Sequence, residues 1–133
     1  MVAQVAAGIV RGPGGRILIA ERFRPCPQGG RWEFPGGTRE EGETLEGCLR
    51  RELREELAIE VRVDEPLVVI ERPYADCDLD LHAFLCTWVS GEPEAIECAA
   101  WRWVDLEELH EVNFTGADRR ILAALERWAK KSG

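Results

Sequence analysis

The chain lacks an apolar run long enough to cross a bilayer, a block of lysines or arginines, and any C-x-x-C pair, and it has only 2 histidines in 133 residues. Each shortage excludes something. With no apolar run there is no membrane span. The stretch from Met1 to Val10 has neither the charged start nor the cleavage site of a secretion signal, so the sequence predicts a cytoplasmic protein. The 25 acidic residues outnumber 17 basic ones, and a formal charge of -8 repels nucleic-acid polymers and anionic membranes unless basic residues gather on one surface. A small polyphosphate carried in with a divalent cation escapes that objection. His82 and His110 stand in no metal-ligand spacing, which leaves both to structural roles. The 5 cysteines, Cys26, Cys48, Cys77, Cys86 and Cys98, are odd in number, so at least one is unpaired, and reduced thiols are expected. No repeat, low-complexity tract or linker divides the chain. Its length and 45% hydrophobic content suit one core and are short for two, so residues 1–133 are read as a single domain.

The apolar pattern supplies the elements. Val2 to Val10 and Arg16 to Glu21 flank the turn Gly12-Pro13-Gly14-Gly15, which predicts a β-hairpin. Pro25 to Gly30 reads as a loop, and Arg31 to Phe34 as a short extended piece running into Pro35-Gly36-Gly37. Thr44 is a candidate N-cap for a helix ending near Ala58. Strands are expected over Glu60 to Arg72, Asp78 to Val89 and Ala99 to Val104, where apolar residues recur at period two. Asp105 is a candidate N-cap for a short helix, and Ile121, Leu125 and Trp128 mark the packed face of a last helix from Ala117 to Lys130. Strands around a central helix, with helices closing the chain, imply an α/β (α+β) fold in which a mixed β-sheet lies between helices.

The central helix carries the chemistry. Glu52, Glu55 and Glu56 stand at i, i+3 and i+4, so their carboxylates lie within reach of one another. At about 100° per residue, Leu45, Cys48, Leu49, Leu53, Leu57 and Ile59 form an apolar arc. Glu52 and Glu56 fall inside that arc and Glu55 on its margin, whereas Arg50, Arg51, Arg54 and Ala58 take the opposite side. A solvated charged face would not place carboxylates among the leucines. Inward-pointing carboxylates require paired arginines or bound divalent ions. Glutamate oxygens are hard donors suited to magnesium or manganese.

The run from Gly37 through Glu43, Arg51-Glu52-Leu53-Arg54-Glu55-Glu56 and Ala58-Ile59 resembles the Nudix box: Gly, five residues, Glu, seven residues, Arg-Glu, an aliphatic residue, any residue, Glu-Glu, any residue, Gly and an aliphatic residue. Ala58 is the one departure, standing where the family has glycine at the helix end, where alanine costs about 1 kcal/mol. The resemblance implies the Nudix α/β/α sandwich. It also implies a metal site of the Gly36 carbonyl, Glu52, Glu55 and Glu56, occupied by Mg2+ with Mn2+ able to substitute. Glu52 is the first choice of general base, with Glu56 and Glu97 competing for the role. Arg51 is expected to hold the glutamates through charge-assisted hydrogen bonds, paired also with Glu43. Glu97, before Trp101 and Trp103, resembles the later glutamate of MutT-type members and is read as a further metal ligand; an ordinary loop glutamate is the competing account.

Two flanking segments, Trp32 to Gly37 and Phe114 to Asp118, resemble MutT-type and CTP-pyrophosphohydrolase-type sequences. Arg22 matches the triphosphate-binding arginine of that branch, a plain surface arginine being the competing account, and Asp118 matches its base-reading position. An ionised Asp accepts hydrogen bonds only, which favours amino donors such as that of cytosine, although a protonated Asp or an oxidised purine would also fit. An N-cap role for Asp118 is the alternative. Phe34 and Tyr74 are candidates to stack on a base, with core packing the competing role for Phe34. The implied activity is hydrolysis of a nucleoside 5'-triphosphate, oxidised or otherwise modified ones included, to the monophosphate and pyrophosphate by a monomer or homodimer. Competing readings are a dinucleoside polyphosphate or nucleotide sugar as substrate, disfavoured by the short chain, and a non-catalytic nucleotide sensor, disfavoured by the intact carboxylates.

Overall fold

Strand β1 (Ala3–Arg11) explains the architecture, because both of its faces are apolar. Ala7 and Ile9 point to one side and Ala6 and Val10 to the other, each into a separate buried cluster. A strand covered on both faces belongs in the middle of a sheet. The computed structural model describes residues 2–23 and 29–132. Cys26 and most of the expected loop from Pro25 to Gly30 lie outside the described residues.

The remaining elements are β2 (Ile17–Glu21), β3 (Trp32–Glu33), β4 (Gly36–Thr38), α1 (Leu45–Leu57), β5 (Glu60–Glu71), β6 (Leu79–Ser90), β7 (Ala100–Val104) and α2 (Gly116–Ser132), with short 3-10 turns at Pro13–Gly15 and Leu106–Glu111. They form one mixed sheet in the order β3-β2-β1-β6-β5, with β4 beside β1 and β7 beside β2. β1 runs parallel to β6 from Ala3↔Leu79 to Arg11↔Thr87. Helix α1 covers one face, burying Cys48, Leu49, Leu53 and Leu57 against Ala6, Val10, Leu18 and Phe84. Each such fully buried leucine contributes about 1.5–3 kcal/mol. Helix α2 covers the other, with Ile121, Leu122 and Leu125 against Ile9, Ile19, Ala83 and Leu85. The sandwich expected from the sequence is the observed architecture.

Three details differ from the sequence reading. β1 and β2 pair antiparallel across the predicted turn, but only at Arg11↔Ile17, so the expected hairpin is a short one. β1 instead spends its length on β6 and β4, while β2 pairs with β7 from Ile17↔Val104 to Glu21↔Ala100. Asp105 holds the expected N-cap position of the 3-10 turn, its carbonyl accepting from the Glu108 N–H at 3.0 Å, but its side chain makes no cap bond and lies 3.4 Å from Arg16. Residues 36–38, for which no strand is expected from the sequence, form one through pairing with Val5–Ala7. No described helix is long and apolar enough to cross a membrane.

Candidate active site

Helix α1 sets the acid cluster. Thr44 caps it, its hydroxyl accepting from the Gly47 N–H at 3.0 Å, and Ala58 ends it in the left-handed conformation at φ 58°. Arg51 is the hub of the site. Its Nε and Nη2 donate to both oxygens of Glu43 at 2.6 and 2.9 Å, its Nη1 donates to Glu52 and Glu55 at 3.0 Å each, and Nη2 also reaches the Thr38 carbonyl at 3.2 Å. The helical wheel assigned Arg51 to the far side. The structure corrects that, because a long side chain curls around the helix to neighbours one and four residues on. These hydrogen bonds hold the Glu43 carboxyl down at about 2, and the glutamates keep Arg51 firmly protonated.

The glycine strand β4 closes onto this cluster. A β-carbon on Gly36 would collide with the Ala6 carbonyl oxygen, and one on Gly37 would fall onto the Glu52 carboxylate. Backbone therefore touches carboxylate here, and only glycine allows it. Glu56 shares a hydrogen bond with Glu52; burial, followed by repulsion from Glu52, Glu33 and Glu97, pushes its carboxyl up to about 9. Burial is the larger cause of that rise and the neighbouring carboxylates add to it. Glutamate oxygens beside a glycine backbone are hard donors of the kind a divalent cation takes. Among the described residues, however, no three acidic, histidine or cysteine side chains already converge on one point. Arg51 engages Glu52 and Glu55 instead.

Glu97 is exposed and belongs to the loop between β6 and β7. That loop hangs on the open end of α1: the N–H groups of Ile96 and Glu97 donate to the Glu56 carbonyl at 3.1 and 3.3 Å, and that of Glu94 to Leu57 at 2.9 Å. Carbonyls left without partners at the helix end thus fix the backbone that carries Glu97.

A cavity of about 640 Å³ runs from Gly36, Gly37 and Glu56 to Phe34, Tyr74 and Asp118, with Arg22 and Glu33 in its wall. Glu52, Glu55 and Glu97 do not line it. Asp118 is 6% exposed; its Oδ1 accepts from the Phe34 N–H at 3.0 Å and its Oδ2 from the Thr115 hydroxyl. Burial raises its carboxyl to about 7 against the pull of those two hydrogen bonds. The N-cap alternative for Asp118 is corrected, since Thr115 holds that position. The Thr115 carbonyl accepts from Arg119 at 3.1 Å and its hydroxyl from the Asp118 N–H at 3.4 Å. The pattern Thr-x-x-Asp was the signal that identifies Thr115 as the cap.

Phe34 is 2% exposed, its ring stacked on Phe114 with centroids 4.9 Å apart, so one face of it is core. The Tyr74 hydroxyl accepts from the Ala117 N–H at 3.0 Å, tying the β5–β6 loop to the start of α2. Arg22 Nη1 donates to Glu33 at 2.8 Å. Sequence reasoning missed Glu33, Thr115, Asp76 and Cys77 in the cavity wall; no motif marked the last two, which arrive on a loop. His82 Nε2 donates to Gln4 Oε1 at 2.6 Å, in keeping with its structural reading. Cys48, Cys77, Cys86 and Cys98 are free thiols, and burial pushes Cys48 and Cys98 up to about 11 and Cys86 to about 12.

Comparison with known proteins places this geometry in a family. The NUDIX domain model matches residues 1–125. The CTP pyrophosphohydrolase of Escherichia coli (strain K12) is 38% identical over 124 residues, covering 93% of this chain and 90% of that protein. The 8-oxo-dGTP diphosphatase of the same organism is 32% identical over 124 residues, covering 93% and 96%. The crystal structure of a MutT NUDIX hydrolase from Burkholderia pseudomallei superposes with a TM-score of 0.82 at 29% identity, covering 93% of this chain and 98% of that one. With the box, the sandwich and these relatives in agreement, the chain belongs to the NUDIX hydrolase family as a MutT-like member.

Proposed function

We propose that this protein hydrolyses nucleoside 5'-triphosphates, modified or oxidised ones included, to the monophosphate and pyrophosphate, in a nucleotide-pool housecleaning role. The observation that carries the reading is the continuity of one cavity from the Gly36–Gly37 strand and Glu56 to buried Asp118. A phosphate chain fits one end and a base the other. NUDIX hydrolases depend on a divalent metal, for which Mg2+ is our choice, with Mn2+ as substitute; Gly36, Glu52, Glu55, Glu56 and Glu97 would hold it. Such a cation, when bound, neutralises phosphate oxygens and acidifies a water.

The chain's own residues do the rest. Glu52 accepts a proton from the attacking water, whose oxygen bonds to phosphorus as the bond to the leaving phosphate oxygen breaks. Arg51 fixes Glu52 through its 3.0 Å hydrogen bond while Glu43 anchors the guanidinium from the other side. Arg22 meets the phosphates, and Asp118 reads the base edge. Phe34 and Tyr74 contribute the walls between them. A cytoplasmic site of action, in a monomer or homodimer, accords with a substrate drawn from the nucleotide pool.

The test is a panel of nucleoside triphosphates, unmodified, oxidised and methylated, assayed for pyrophosphate release with and without Mg2+. Release of pyrophosphate with the monophosphate, dependent on Mg2+, is expected. Release of single phosphates, or turnover of nucleotide sugars alone, would contradict the reading.

A further inference from the structure

Building on the triphosphate reading, we propose that Glu33 is a positioning residue whose carboxylate aims the Arg22 guanidinium into the cavity for a polyphosphate. The two side chains issue from neighbouring strands. Ala20↔Glu33 and Glu21↔Trp32 are paired across β2 and β3, and Arg22 follows directly, its N–H bonded to the Arg31 carbonyl at 2.9 Å. Nη1 of Arg22 then donates to Glu33 Oε1 at 2.8 Å, and both residues line the cavity.

The placement of Glu33 is electrostatically adverse for a site that takes a polyanion. Its charge acts on the buried Asp118 carboxyl, raising it, and its own burial raises Glu33 while Arg22 opposes the rise. Orientation of Arg22 offsets that disadvantage. A guanidinium presents five donors in a rigid plane, so fixing one edge fixes where the others point. Removing the Glu33 hydrogen bond would take away one restraint on that side chain, and the added ordering cost on binding would weaken affinity.

Isothermal titration calorimetry with magnesium tripolyphosphate tests the inference independently of catalysis, using the wild type, Arg22→Ala, Glu33→Ala, Glu33→Gln and the double Arg22→Ala/Glu33→Ala, each checked for an unchanged melting temperature. Glu33→Ala is expected to weaken binding about tenfold, the scale of a lost charge-assisted hydrogen bond, and Glu33→Gln, which keeps an acceptor oxygen, less. The double variant should bind no more weakly than Arg22→Ala alone. The same variants should raise KM for a nucleoside triphosphate more than they lower kcat. Tighter binding by Glu33→Ala, or independent multiplying effects of the two substitutions, would overturn the inference. A wild type that binds tripolyphosphate but turns over no nucleotide would instead overturn the reading on which it rests.

Discussion

Asp118 shows how a single side chain carries both a stability and a specificity consequence. Its carboxyl, ordinarily at 3.8, is raised to about 7 by burial. Between those values the folded chain keeps a proton that the unfolded chain has released, so this group lowers stability as pH rises through the window and has no further effect above it. Asp118→Asn removes the titration. Denaturant unfolding of both proteins from pH 4 to 8 should therefore show the difference moving in favour of the Asn variant up to about pH 7; a constant difference would mean that the site is not desolvated. The same substitution adds a donor where an ionised Asp only accepts, so preference between cytosine and guanine substrates should shift. At this scale the sequence was informative where a motif fixed a residue, as with Arg51, Glu43 and Glu52. It was silent on Glu33, whose role comes from a strand neighbour, and it placed Arg51 on the wrong side of the helix because a wheel ignores side-chain length.

At the scale of elements, helix α1 was readable from end to end, since its cap, its apolar period and its termination are all local. Ala58 makes the point quantitatively. It holds φ 58°, a conformation that disfavours any residue with a β-carbon. Ala58→Gly should raise stability by about 0.5–1 kcal/mol, the relief of that strain less the extra chain entropy of glycine when unfolded. Chemical denaturation measures it, and a loss of stability would refute the account. Strand β4 was not readable. Pro35, Gly36 and Gly37 carry turn signals, and only pairing with β1 makes the segment extended. The predicted hairpin is shorter than its strands for the converse reason: the local turn signal was correct, but β1 gives most of its length to β6 and β4, partners far away in sequence. Local rules give way where tertiary pairing decides.

For the molecule as a whole, charge is the organising fact. The chain carries -8 and gathers several carboxylates around α1, where Arg51 pairs with Glu43, Glu52 and Glu55 and Arg54 with Glu60, while Arg22 pairs with Glu33 beside them. Glu56 keeps its proton up to about 9 in the absence of a cation. Proton and cation thus compete, and a cation that binds only the folded state should raise the melting temperature more as pH rises toward 9. A hundredfold excess over the dissociation constant corresponds to about 2.7 kcal/mol. Thermal unfolding in Mg2+ and Mn2+ at pH 6 and pH 8.5 checks this; equal shifts at both would separate Glu56 from the metal site.

The most direct measurement is the rate of pyrophosphate release at saturating Mg2+ by the wild type and by Glu52→Gln, matched for melting temperature. The account predicts a fall of about 10²-fold or more in kcat, the scale of a lost general base, with the fold unchanged. A Glu52→Gln protein that released pyrophosphate at the wild-type rate would contradict it.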